Sequence, residues 1–144
     1  MAYNKGNGEV QFKRLKALAI TAADVIAIGS GAFLNVLDIP ATAIVVGGGL
    51  AVTQVFNSTT SDTFVIKDAA GNSYKTAING QVLGYTALTP TGIPGNLLTE
   101  MGLGVTWIPG SGTPTTGFAY LVIEYFVPGV GDEYFLLNDP GIAP

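Results

Sequence analysis

The chain contains neither cysteine nor histidine, and it is poor in charge. Lack of cysteine excludes disulfides and zinc–thiolate sites; lack of histidine excludes imidazole chemistry. Only 11% of the residues are charged, against about 25% in an average globular protein. Long apolar helices are missing too. The charge-free stretches Ile39–Ser61 and Thr76–Thr99 are broken, the first by Pro40 and Gly47-Gly48-Gly49, the second by Pro90 and Pro94. Neither makes the run of about 20 apolar residues that crosses a bilayer. The start, MAYNKGNGEVQFKRLK, lacks an apolar signal core with a small-residue cleavage site.

What is present is hydrophobic: 48% of 144 residues, with a mean hydropathy of +0.45. A chain of this length buries a core without metals or cross-links. It has too few charges to coat a free monomer, which points to a soluble subunit covered by partners. The net charge of −4 disfavours non-specific nucleic-acid binding. Charge is unevenly placed. Lys5, Lys13, Arg14 and Lys16 lie in the first 16 positions with Glu9 as the only acid there, while the remainder sets Lys67 and Lys75 against nine acids. Such a basic arm either docks on an acidic neighbouring surface or simply solvates the chain.

Short apolar runs alternate with turn signals along the chain. Residues 9–20 suit either a helix or a strand, and the strand-like context favours the latter. DVIAIG (24–29) ends at Gly29-Ser30-Gly31, and FLNVLDI (33–39) at Pro40. In AIVVGGGLAVTQVF (43–56) the three glycines signal a bulge, a bend or a turn between two strands. TFVIKD (63–68) leads through Ala69-Ala70-Gly71-Asn72, a hairpin signal, into SYKTAI (73–78). VLGYTAL (82–88), LGVTWI (103–108) and FAYLVIEYFV (118–127) follow, each stopped by proline. About eight short strands at this spacing predict an all-β fold, a β-sandwich or jelly roll. The expected organisation is a basic arm and possible first strand over 1–20, a sandwich over 21–128 and a tail over 129–144.

The period of two assigns faces. Phe64 and Ile66 are expected in the core, with Thr63, Val65 and Lys67 outside; Leu103, Val105 and Trp107 share a face. In the last strand Leu121, Ile123, Tyr125 and Val127 point one way, and Tyr120, Val122, Glu124 and Phe126 the other. Both sides are apolar but for Glu124, so the strand is expected to be covered twice, by the second sheet and by loops or another subunit.

Chemistry would have to come from carboxylates, Lys, Ser, Thr or Tyr. Glu124 is either an acid of raised pKa or an outward-facing strand residue, and nothing pairs it with a second carboxylate. Asp62 and Asp68 bracket a strand and Asp132-Glu133 form a pair, but the spacing of a calcium loop is missing. The triplet Gly47-Gly48-Gly49 lacks the Lys-Ser/Thr and helix of a phosphate loop. No enzyme activity, cofactor or metal is expected.

Four stretches carry a family resemblance: DIPATAIVVGGGLAVTQVFN, FNSTTSDTFVIKDAAG, ALTPTG and GTPTTGFAYLVIEYFV. Together, from about Asp38 to Val127, they resemble small β-sandwich virion structural proteins of tailed bacteriophages. The matching motifs are Phe56-Asn57-Ser58, Ser61-Asp62-Thr63 and Ile123-Glu124-Tyr125. IKDAAGNSYKTA departs from the pattern, because related chains carry a Gly-rich turn there. The resemblance implies a capsid decoration (cement) protein on the virion surface, made in the host cytoplasm, with a head-fibre or tail component as the alternative. The expected partners are copies of the chain itself, with a trimer as a working assumption that the resemblance does not fix, and the major capsid protein or another virion scaffold; charge and composition point to no nucleic acid and no membrane. The candidate interface comprises Lys13, Arg14 and Lys16 of the arm, Tyr120, Val122 and Phe126 of the last strand, and Tyr134, Phe135 and Leu136 of the tail. Two other classes stay open. One is a carbohydrate- or receptor-binding module stacking sugars on Trp107, Tyr85, Tyr120 and Tyr125; the other is a hydrolase using Glu124 and an Asp.

Overall fold

The computed structural model describes residues 13–41, 43–89 and 100–127. Their elements in chain order are β1 (Arg14–Thr21), α1 (Ala22–Ile28), β2 (Phe33–Ile39), β3 (Ile44–Gln54), β4 (Asp62–Asp68), β5 (Ser73–Asn79), β6 (Gly84–Ala87), β7 (Met101–Pro109) and β8 (Phe118–Phe126). The eight strands form two four-stranded antiparallel sheets. Sheet A has the order β1-β8-β3-β6 and sheet B the order β2-β7-β4-β5. Strand 1 therefore lies beside 8, 2 beside 7, 3 beside 6 and 4 beside 5. This is one long hairpin rolled into two sheets, the jelly-roll form of the sandwich.

Each strand turns one row of side chains into the space between the sheets. Leu121, Ile123 and Tyr125 of β8 and Leu50 and Val52 of β3 face Phe64 and Ile66 of β4 and Leu103, Val105 and Trp107 of β7. All are buried, as their alternation predicts. Phe56 and Phe64 meet edge to face with centroids 4.9 Å apart, the geometry that the ring quadrupole favours.

The run DVIAIG is a correction: it belongs to α1, not to a strand. A capping box decides the matter. The Asp24 amide donates to Thr21 Oγ1 at 3.2 Å, and the Thr21 amide donates to Asp24 Oδ2 at 2.8 Å. These bonds satisfy amides that the first helical turn would leave open. The β-branched Val25, Ile26 and Ile28 suggested a strand, but only Val25 of the three is buried.

The triple glycine makes a bulge, not a turn. β3 runs unbroken for 11 residues, and its pairing with β8 shifts between Val45 and Gly47. Gly48 has φ +121°, and a Cβ there would collide with the Val122 carbonyl oxygen. Glycine alone lets β3 pass β8 this closely. Among the described residues no helix is long and apolar enough to cross a membrane.

Candidate functional site

Antiparallel partners share a face, so the register maps the exterior of each sheet. Across sheet A, Ala17 of β1 lies beside Val122 of β8, then Gly49 of β3 and Ala87 of β6. The next row reads Ala19, Tyr120, Ala51 and Tyr85. Leu15, Glu124 and Gly47 form the row on the other side, with Phe126 and Ile44 beyond. Among the described strand residues of this face Glu124 is the one carboxylate, and Lys13, just before β1, is its counter-charge. Glu124 Oε2 lies 3.3 Å from Lys13 Nζ. Tyr85 is 57% exposed, Leu15 62% and Tyr120 40%.

Two glycines keep the face flat. An added Cβ at Gly49 would fall 2.8 Å from Tyr85 Cζ, so the Tyr85 ring lies across β3 at that point. At Gly47 it would fall 2.7 Å from Glu124 Oε2, so the carboxylate reclines over the strand. Phe118 and Tyr120 pack edge to face at 5.2 Å. The result is a smooth, nearly uncharged surface, whereas a solvated sheet face carries alternating polar residues. In the isolated chain Val122, Glu124 and Phe126 are half-buried; the double cover expected for β8 is supplied on its inner side by sheet B.

The basic residues of the candidate interface divide. Lys13 pairs with Glu124. Arg14 opens β1 opposite Tyr125 and has no ion pair among the described residues. Lys16 lies on the inner side of β1, opposite Ile123, and its ammonium donates to the Asp38 carbonyl of β2 at 2.6 Å. That bond crosses the open side of the sandwich between the edge strands β1 and β2. A groove there is lined by Lys16, Ala17, Leu18, Val36, Leu37 and Asp38. A charge on the inner side of an edge strand also hinders unwanted strand pairing. Tyr134, Phe135 and Leu136 lie outside the described residues.

Sequence reasoning did not identify the buried carboxylates as internal anchors. Asp62 and Asp68 occupy the two ends of β4 on its inner face, 0% and 1% exposed. Asp62 accepts from the Ser58 amide at 2.9 Å, Ser58 Oγ at 2.6 Å, Gln81 Nε2 at 3.1 Å and Trp107 Nε1 at 2.7 Å. Asp68 accepts from the Asn72 amide and side chain, each at 2.9 Å, and from Tyr74 Oη at 3.0 Å. Burial, with Asp68 adding its charge and its hydrogen bond, pushes the Tyr74 hydroxyl well above the ordinary phenol range. Nearby, Asn57 Oδ1 accepts from the Thr115 and Thr116 amides at 2.7 and 2.9 Å, tying two loops together. The FNS and SDT motifs thus hold loops in place.

This placement bears on the other function classes. Trp107 and Tyr125 are each 3% exposed, so neither can stack on a sugar. Glu124 lies on an open strand face and pairs with Lys13. No cluster of three or more metal-ligating side chains exists among the described residues.

No protein-family model matches the chain, and no curated protein matches it. Among solved structures, a chain of the cyanophage Pam1 capsid asymmetric unit is similar, with a TM-score of 0.63 and 14% identity over 82% of this chain and 86% of that one. A chain of the capsid of Ralstonia phage GP4 is similar with a TM-score of 0.51 and 18% identity, over 83% of this chain and 86% of that one. At such identities the likeness is one of fold: this sandwich is also built by chains present in two phage capsids.

Proposed function

We propose that the protein is a structural component of a tailed-phage virion, a decoration (cement) protein that binds the outer surface of the head. The observation that carries this reading is the exterior of sheet A, a flat, apolar and nearly uncharged face on a chain with only 11% charged residues. Such a face suits lasting contact with other subunits rather than turnover of a substrate. The fold shared with chains of two phage capsids and the FNS and SDT stretches support the same reading. On this proposal the chain works as a homo-oligomer seated on the major capsid protein, and performs no catalysis.

The mechanism is contact area. Each Å² of apolar surface removed from water contributes about 25 cal/mol before the entropy of docking is subtracted. Cement subunits that bridge neighbouring capsomers would thereby raise the pressure and temperature at which the shell opens. The test is reconstitution. Particles assembled without this chain should gain regular external density by cryo-electron microscopy when it is added, and should survive hotter incubation. Purified virions that lack the chain would end the proposal. Density confined to the tail or to a head fibre would favour the alternative location.

A further inference from the structure

We infer that the outer face of sheet A is the contact surface for a second copy of this chain. This rests on the structural role proposed above and names the partner at that face. Three properties favour a copy over an unlike protein.

The first is size. Four strands about 4.8 Å apart, of four to 11 residues at about 3.3 Å each, span roughly 500 Å² of projected surface. Two copies together hide roughly 1,000 Å², the lower bound for a specific interface.

The second is shape. Sheets of the same twist stack face to face at about 10 Å. With Tyr85 laid over Gly49 and Glu124 over Gly47, the charge of the face is confined to the Lys13–Glu124 pair. In the row Ala17, Val122, Gly49 and Ala87, Gly49 is covered by Tyr85, and the small Ala17 and Ala87 at either end offer room for an aromatic side chain such as Tyr120 of the other copy.

The third is charge. The chain carries −4, so copies repel one another, and they approach most easily through a face whose one carboxylate is already paired. Charged groups suited to recognising a different protein lie elsewhere, Arg14 at the β1 edge and Asp38 and Lys67 on sheet B.

The experiment uses the full chain. At roughly 100 µM, well above a micromolar dissociation constant, light scattering should give a multiple of 14.8 kDa. Val122→Glu should reduce it to the single-chain mass with circular dichroism unchanged, whereas Thr63→Glu on sheet B should leave the multimer intact. A second reading does not depend on that variant folding. Ala51→Cys, the sole thiol of its chain, should react with maleimide at least about tenfold more slowly at high than at low protein concentration, as expected for a site hidden only in the multimer. Lys67→Cys should react equally fast at both. A single-chain mass at the highest concentration, dissociation by Thr63→Glu but not by Val122→Glu, or an unshielded Ala51→Cys would overturn the inference. A lone chain that still decorates particles would sink this contact and spare the virion role; a stable multimer absent from every particle would do the reverse.

Discussion

The two sheets solve opposite problems with opposite chemistry. Sheet B mixes polar and apolar groups outside: Phe64 and Ile66 point inward, while Thr63, Lys67, Asn79, Asn35 and Asp38 share the exterior with Phe33, Val65 and Ile108. Its ends are fixed from inside by two buried carboxylates. Sheet A has no buried carboxylate on its strands, and its exterior is made of small, aliphatic and aromatic side chains with Glu124 as the one carboxylate. One sheet is pinned by polar networks and carries charged and amide groups outside. The other is held by close backbone approach and is smooth outside.

Four measurements break or sharpen this contrast. The largest effect is expected in sheet A. Gly48→Ala places a Cβ against the Val122 carbonyl oxygen at a φ of +121°, and should lose at least about 3 kcal/mol, some 10 °C in Tm. In sheet B, Asp62→Ala removes the acceptor of four hydrogen bonds and strands Trp107 Nε1 and the Ser58 amide. A loss of about 3 kcal/mol is expected in urea titration; a loss below about 1 kcal/mol would show the anchor to be dispensable.

The third test is pH. Tyr74 keeps its proton more tightly in the folded than in the unfolded chain. Its contribution is therefore complete below the ordinary phenol value near 10 and falls as pH rises above it. Tyr74→Phe should flatten that alkaline fall in a series of thermal melts. The smallest effect is at Thr106, on the outer side of β7 but covered, with Oγ1 unpartnered among the described residues. Thr106→Val should leave stability unchanged or raise it by up to about 1 kcal/mol.

Much of this contrast was legible in the sequence, because a period of two reports which side of a strand is buried. Leu103, Val105 and Trp107 could be assigned to one face from spacing alone. So could the apolar exterior of β8, where Tyr120 and Val122 stand where a solvated sheet carries polar groups. The strand order was not legible, since β1 and β4 offer β8 similar apolar rows and only the closed fold chooses between them. α1 was missed because a β-branched run outweighed the Thr21–Asp24 capping pair. Asp62 and Asp68 read as turn-flanking acids because their partners are set by tertiary packing; Trp107 is 45 positions from Asp62.

The position of β8 in sheet A has a consequence for synthesis. Its neighbours β1 and β3 are translated more than 60 residues earlier and do not pair with each other. Until Phe126 leaves the ribosome, that layer is two separate pieces. The proposed contact between copies therefore forms only after β8 has emerged. Ribosome-bound chains stalled before Phe118 should accordingly fail to capture finished protein, and capture would refute this timing.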